Sequence, residues 1–265
     1  MSTGLRSARA YVLGLLGLTA GLAALRLAYL AWFCPYGLVE DESQYWEWSR
    51  HLSLSYYTKG PGIAWTIALF TRLLGDTELA VRAAAPVFSA IMLAAVALLV
   101  RAGVVSGQPL AEPWRAALYA AGALAAAPIV FASALLGTID GPYCAMWALS
   151  CLCAWQLSNA RSAGARAGLS LALGAALGVG FLFKYTILLL PPGLLLFACL
   201  RPPADRPPPP TADRRCVGPR EVALIVLGFV VCAAPVLIWN HQQGWPTLRH
   251  LLGHLGFEEH GLRAT

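Results

Sequence analysis

The stretch GPGIAWTIALFTRLLGD, residues 60–76, decides the topology of everything downstream of it. Its apolar core, Ile63 to Leu74, would reach only about 18 Å as a helix, against a hydrocarbon layer of about 30 Å. The stretch also carries Arg72. Because later apolar runs are short as well, length alone does not decide whether this segment crosses a bilayer.

The distribution of arginine separates the two topologies. If residues 61–75 lie in the interface as an amphipathic helix, the loops on the N-terminal side carry most of the arginines, including the five within residues 201–220. If the segment crosses instead, that loop and the two loops before it move to the other face. The positive-inside rule favours the interfacial helix. The predicted spans are then 10–33, 81–100, 115–136, 142–159, 168–183, 186–200 and 221–239.

The composition is that of a membrane protein. Hydrophobic residues make up 58% of the chain and charged residues 12%, and a mean hydropathy of +0.63 excludes an ordinary soluble domain. The first run, Ala10 to Phe33, is too long for a signal-peptide core and is predicted to be a retained span. The net charge of +6 does not indicate nucleic acid, because the arginines lie in short loops. We therefore predict an all-α polytopic membrane protein.

One transmembrane domain is expected to cover residues 1–265. Its non-spanning parts are an external first loop that carries interfacial helices (34–80), a cytoplasmic Pro/Arg-rich linker (201–220) and an external tail (240–265). The run 167–200 would be about 50 Å long as one helix, so we divide it near Lys184.

Small and charged residues within the spans predict how the helices pack. The pairs Gly17/Gly21 and Gly174/Gly178 are small-xxx-small patterns, which favour close helix packing. Arg26, inside the first span, is predicted either to snorkel outward or to pair with another helix.

The longest charged and aromatic passage is VEDESQYWEWSRHLSLSYYTKGP, residues 39–61. A polar island between membrane spans is costly to maintain unless it has a function, so we interpret it as the active-site loop. The interfacial helix places this loop, Asp140, Lys184 and the His-rich tail on one face of the membrane, the external one.

Asp41 has two compatible interpretations. With Gln44 it forms the pattern D-x-x-Q, which is typical of a helix N-terminus, and the predicted helix runs to about Leu52. On that helix Asp41, Tyr45 and Trp48 share a face, so the acid can also point into a cleft and act as a base.

Three other charged residues carry open alternatives. Lys59, next to Gly60-Pro61, either snorkels to the surface or holds a phosphate. Asp140, in LLGTIDGPYCAMW, is either a functional acid at the membrane edge or a helix cap. Lys184, in FLFKYT, is either an interfacial anchor or part of the site.

The tail after the last span contains several ionisable residues. His250 and His254 are four residues apart and could share a helix face, but without H-E-x-x-H a solvated amphipathic helix is the better interpretation. Arg249 is a candidate for contact with an anionic substrate.

Five ordered motifs resemble one family. DESQYWEWS, YYTKGPGIAW, GTIDGP, FLFKYT and PVLIWNHQQGWPTLRH resemble, in this order, the bacterial GT-C membrane glycosyltransferases. The similar group depends on polyprenyl-phosphate sugars and is related to protein O-mannosyltransferases and to the aminoarabinose transferases of lipid A. The resemblance covers essentially the whole chain, and members of the family are longer, so the chain corresponds to the N-terminal part of the family fold.

The resemblance implies a sugar donor on a lipid phosphate and an acceptor lipid, glycan or protein at the outer face of a bacterial plasma membrane. It implies Asp41 as catalytic base or acceptor-orienting carboxylate, Asp140 as a second catalytic acid, and Lys59 as a ligand of the donor phosphate. We expect these residues to contact substrate: Glu42, Tyr45, Tyr57, Lys59, Lys184, Arg249 and His250. Some relatives have an acid before the lysine where this chain has Thr58, so we expect no cofactor and no metal.

Two other functional classes compete with a glycosyltransferase. A transporter or flippase for a lipid-linked sugar would line a path with intramembrane charges, and such proteins usually show repeat symmetry, of which the sequence has none. A truncated, inactive remnant would bind a donor at best and transfer nothing.

Overall fold

A computed structural model describes residues 2–103, 113–200 and 217–249, with the backbone alone for residues 2–9 and 198–200. Every regular element in these ranges is a helix, so the predicted all-α class is confirmed. In chain order the helices are α1 (Ser2–Trp32), α2 (Glu40–Arg50), α3 (Gly62–Leu74), α4 (Glu78–Arg82), α5 (Ala84–Arg101), α6 (Pro113–Ala126), α7 (Pro128–Ser133), α8 (Asp140–Asn159), α9 (Ala163–Phe183), a 3₁₀ helix (Tyr185–Leu189), α10 (Leu190–Leu200) and α11 (Pro219–Gln242).

Four helical segments within the described residues are long and apolar enough to cross a membrane. They are Ala10–Trp32, Glu78–Arg101, Ala163–Phe183 and Pro219–Gln242. These four segments agree with four of the predicted spans, and they support a multi-pass membrane protein.

Two of the other predicted spans are not continuous α-helices. The span 115–136 is divided between α6 and α7, because Pro128 begins a new helix and has no N–H with which to continue the old one. The span 186–200 opens with the 3₁₀ helix and continues as the short α10.

Helix α3 does not cross the bundle. The backbone N–H of Gly137, just before α8, donates a hydrogen bond to the Glu42 carboxylate of α2, with a distance of 2.7 Å. Between these residues the chain passes along α5 and returns along α6 and α7, and Leu98 of α5 packs beside Leu118 of α6. One passage and one return bring the chain back to the same end, so α3 adds no crossing. This geometry agrees with the interfacial helix predicted from the arginines.

Helices α1 and α5 pack side by side through small and polar residues. Leu15 of α1 packs against Ala97 of α5. Farther along α1, the Arg26 side chain is only 4% exposed, and its guanidinium donates to the Ser89 hydroxyl of α5 at 2.8 Å. Arg26 therefore pairs with another helix and does not snorkel outward.

Helices α9 and α11 run parallel in close contact, because three glycines let their backbones approach. A Cβ atom at Gly174 would collide with the carbonyl oxygen of Ile225, and one at Gly178 would lie 2.7 Å from the Phe229 oxygen. Gly228, on the α11 side, is equally close to the Leu171 carbonyl. The packing prediction is confirmed for Gly174/Gly178. For Gly17 and Gly21 it is wrong within the described part of the chain, where an added Cβ would meet nothing within 4 Å.

Replacing Gly174 with Ala should destabilise the bundle by about 1–3 kcal/mol, because the added methyl group forces two helix backbones apart. The control is Gly168→Ala in the same helix, where an added Cβ meets no atom within 4 Å. That change should be neutral or stabilising by up to about 1 kcal/mol. Unfolding of the detergent-solubilised protein measures both changes, and equal effects would contradict the packing argument.

Candidate active site

The first loop is anchored by a buried ion pair between Glu42 and Arg82. The Glu42 side chain is fully buried, and its Oε2 lies 2.7 Å from Nη2 of Arg82. The same carboxylate accepts a hydrogen bond from the backbone N–H of Val39. Burial alone would raise the pKa of Glu42, but the hydrogen bond from Arg82 outweighs it, so the pKa is lowered and the carboxylate stays ionised.

The same pair ties three segments of chain together. Arg82 donates to the carbonyl oxygens of Tyr36 at 2.9 Å and Gly37 at 2.7 Å, which fixes the chain ahead of α2. Glu42 accepts from the Gly137 N–H, which fixes the turn ahead of α8. The ion pair thus holds the start of α2 beside the start of α8, where Asp140 lies.

Asp41 is not the helix cap that the D-x-x-Q pattern suggests. Helix α2 begins at Glu40, with Val39 at the N-cap position, and Glu42 reaches back to the Val39 N–H. Asp41 therefore lies within the first turn, with an exposed side chain. Its carboxylate has no hydrogen-bond or ion-pair partner among residues 2–103, 113–200 and 217–249.

Asp41 and Asp140 both lie close to the phenol of Tyr45. That side chain is only 2% exposed. Burial raises the pKa of Tyr45 to about 12, and the negative charges of Asp41 and Asp140 add to the effect. The phenol therefore stays protonated between two carboxylates and can donate a hydrogen bond.

Asp140 is paired, whereas Asp41 is not. The Lys184 ammonium lies 2.8 Å from Oδ1 of Asp140 and 5.4 Å from the ring centroid of Tyr143. The hydrogen bond to Asp140 raises the pKa of Lys184, so the ammonium remains charged. Of the two acids, Asp41 is the one left free to accept a proton.

Lys59 is brought to the same region by close backbone packing. Gly60 lies against α9 so tightly that a Cβ atom there would collide with the Leu182 carbonyl oxygen, two residues before Lys184. The Lys59 carbonyl is held by the Tyr56 N–H at 3.0 Å. The half-buried Lys59 ammonium has no acidic partner within the described ranges.

The segment after α11 also reaches this end of the bundle. The Tyr185 hydroxyl lies 3.2 Å from the Ser55 hydroxyl of the first loop, and Thr247 lies beside the same Tyr185. Arg249, two residues farther on, is exposed. His250 lies outside the described residues.

Comparisons with known proteins identify this set of motifs. Residues 58–239 match the family model described as dolichyl-phosphate-mannose-protein mannosyltransferase, which is more than half of the chain. The chain belongs to this family of GT-C membrane glycosyltransferases. It is also 34% identical, over 211 residues, to a lipid A galacturonosyltransferase, RgtD, of Rhizobium johnstonii. That match covers 79% of this chain and 40% of the relative, so the chain spans less than half of the relative's length. No solved structure matches.

For this mannosyltransferase-family chain, the structure unites most of the predicted site residues and separates two. Asp41, Tyr45, Asp140, Lys184 and Lys59 lie at one end of the bundle. Tyr57 is 56% exposed elsewhere in the loop. The prediction that Glu42 contacts substrate does not fit its full burial, because both of its oxygens are bound by protein groups. Glu42 is instead a positioning residue.

Sequence reasoning missed Tyr143 and Arg82. Tyr143 could have been found, since it follows Asp140 by three residues at the start of a helix and so lies near it on one face. Arg82 gave no local signal, because 40 residues separate it from Glu42.

A metal site is not apparent in the described parts of the family member. No three His, Cys, Asp or Glu side chains come together among residues 2–103, 113–200 and 217–249. The expectation that the protein needs no metal or cofactor stays a prediction.

Stability at high pH should report the environment of Tyr45. Unfolding lowers the Tyr45 pKa from about 12 towards its ordinary 10. The unfolded chain then binds fewer protons, and stability falls as pH rises through this window by up to about 1.4 kcal/mol per pH unit. Tyr45→Phe should flatten that slope in detergent unfolding curves. An unchanged slope would contradict the placement of Tyr45 between the acids.

Proposed function

We propose that this chain belongs to an enzyme that moves a sugar from a polyprenyl-phosphate donor to an acceptor hydroxyl or phosphate at the outer face of the bacterial inner membrane. The observation that carries the proposal is the convergence of an unpaired acid, Asp41, with the Asp140–Lys184 pair and with Lys59. The family match and the relative's printed activity on lipid A support a lipid acceptor carrying sugars.

Asp41 has the properties of a general base. An acceptor hydroxyl is a poor nucleophile, and a nearby carboxylate can remove its proton as the bond between sugar and phosphate breaks. Asp140 is neutralised by Lys184 and is less able to take that proton. We assign proton removal to Asp41, and orientation of the hydroxyl to Asp140 and the Tyr45 phenol.

Lys59 has the properties of a phosphate ligand. The leaving phosphate gains negative charge as the sugar departs, and a fixed ammonium stabilises that charge where water is scarce. Lys59 is free of acidic partners in the described structure, whereas Lys184 is engaged with Asp140. Arg249, exposed near the same loop, is a second candidate ligand.

The stereochemistry follows from these assignments. If Asp41 activates the acceptor and no covalent intermediate forms, the configuration at the anomeric carbon inverts. A sugar–enzyme adduct in intact-mass spectra, or a product that retains the donor's anomeric configuration, would refute this mechanism.

The test of the proposed function is transfer by the chain reconstituted in lipid nanodiscs. A polyprenyl-phosphate sugar is the donor, lipid A is the acceptor, and mass spectrometry detects the product. Lys59→Gln should weaken donor binding by about tenfold or more, because it removes a charge-assisted contact to phosphate. Arg161→Gln, which removes an exposed arginine at the other end of the bundle, should have no effect. Donor binding without transfer by the wild type would indicate an inactive remnant.

A further inference from the structure

A second polar cavity, of about 490 Å³, opens between α2 and α3, away from the catalytic acids. Its charged and aromatic lining comes from Trp46, Arg50, His51, Arg72 and Asp76. On α2, Trp46 and Arg50 lie about 140° and 180° around the helix from Asp41, at roughly 100° per residue. The cavity therefore faces a different direction from Asp41, although both belong to the same helix.

The acid in this cavity is already occupied. Asp76 accepts a hydrogen bond from the indole N–H of Trp46 at 2.6 Å and forms an ion pair with Arg50 at 2.8 Å. The Arg50 guanidinium also lies 5.0 Å from the Trp46 ring centroid. Arg50 and Trp46 are thus held in place by one carboxylate.

Arg72 leaves the cavity with an excess of positive charge. It is exposed, and within the described ranges its guanidinium has no acidic partner. Because Arg50 and Asp76 cancel, the cavity carries the net charge of Arg72. A planar guanidinium binds phosphate and carboxylate through paired hydrogen bonds, so an anionic group is the expected ligand.

The surroundings of Arg72 favour a lipid over a free anion. Leu69, Leu73 and Leu74 of the same helix are 53%, 69% and 48% exposed. This apolar surface next to a cationic cavity suits a molecule with a charged head and hydrocarbon tails. Trp46 adds an aromatic wall, and the volume lies within the range of small-ligand sites, about 300–1,000 Å³.

We propose that this cavity binds the phosphate- or carboxylate-bearing sugar of an anionic saccharide lipid, the acceptor in the proposed reaction. The inference rests on the proposed function for the identity of that lipid as acceptor. Trp46 packs against the sugar ring, while Arg72 and Arg50 bind its anionic group. The acceptor is thereby held by one sugar while another of its groups reaches Asp41.

The test measures binding to the purified chain by native mass spectrometry. Four ligands are compared: diphosphorylated lipid A, dephosphorylated lipid A, phosphatidylglycerol and inorganic phosphate. Diphosphorylated lipid A should bind most tightly, and Arg72→Gln should weaken it by about tenfold, as expected for loss of a charge-assisted contact. Arg161→Gln should leave its binding unchanged. Equal binding of phosphatidylglycerol or of inorganic phosphate, or no effect of Arg72→Gln, would overturn the proposal.

A variant with the opposite sign separates binding from structural damage. Asp76→Asn keeps an oxygen acceptor for Trp46 but removes the negative charge that competes with the ligand. Affinity for diphosphorylated lipid A should therefore rise, an outcome that a merely structural role of this cavity does not produce. Unchanged or weaker binding would contradict the charge argument.

The transfer assay distinguishes failure of this site from failure of the proposed function. If the wild type transfers sugar while Arg72→Gln alters neither lipid binding nor the KM for the acceptor, the cavity proposal is wrong and the function stands. If Arg72-dependent lipid binding occurs without transfer, the function is wrong and the cavity remains a lipid site.

Discussion

Asp41→Asn is expected to lower kcat by about 10²–10⁴-fold, the usual contribution of a general base. The amide has nearly the same shape as the carboxylate but cannot accept the acceptor's proton. Donor binding should remain, because the phosphate ligand in our proposal is Lys59. Single-turnover transfer in nanodiscs gives the rate, and native mass spectrometry gives the affinity for the donor.

The neighbouring acid supplies a matched control for this result. Glu40 precedes Asp41 in the first turn of α2, and its side chain is also exposed. Glu40→Gln removes the same charge from the same helix end and should leave kcat nearly unchanged. Equal losses in the two variants would show that the charge of the helix end matters, and that Asp41 is not the base.

Glu42→Ala is expected to destabilise the protein by about 3–5 kcal/mol, because it leaves the Arg82 guanidinium buried without its counter-charge. Replacing both partners, as in Glu42→Leu with Arg82→Met, should recover much of that loss, since no buried charge remains. Unfolding in a denaturing detergent measures both. The pKa of Glu42 is lowered from 4.5, so the pair's contribution is present above that pH and is lost as pH falls through the lowered value.

An exposed ion pair provides the comparison. The side chains of Arg50 and Asp76 are 51% and 52% exposed, so Asp76→Ala should cost at most about 1 kcal/mol. If Glu42→Ala costs no more than Asp76→Ala, the buried pair does not hold the first loop in place.

The sequence was sufficient for the course of the chain because charge and hydropathy act over whole segments. Counting arginines on each side predicted that residues 61–75 do not cross, and the contact between Glu42 and Gly137 agrees with this. Residues far apart in the sequence were harder. Nothing local indicates that Lys184 pairs with Asp140, 44 residues earlier.

Identical local patterns also led to different outcomes. Adjacent acids on a helix point about 100° apart, so only one of Asp41 and Glu42 can face the interior. Which of them does so depends on Arg82, which belongs to another helix. In the same way, Gly174 meets a partner helix and Gly21 does not, although their spacings are alike. A pattern on one element cannot specify what packs against it.

The contact between α9 and α11 restricts how a lipid donor reaches the catalytic residues. Backbone atoms touch along this seam at Gly174, Gly178 and Gly228, so no hydrocarbon chain fits between the two helices. The route for a polyprenyl tail from the bilayer therefore runs along another side of the bundle. Because the seam is closed by glycine, larger residues there would not open a gate but would separate the helices.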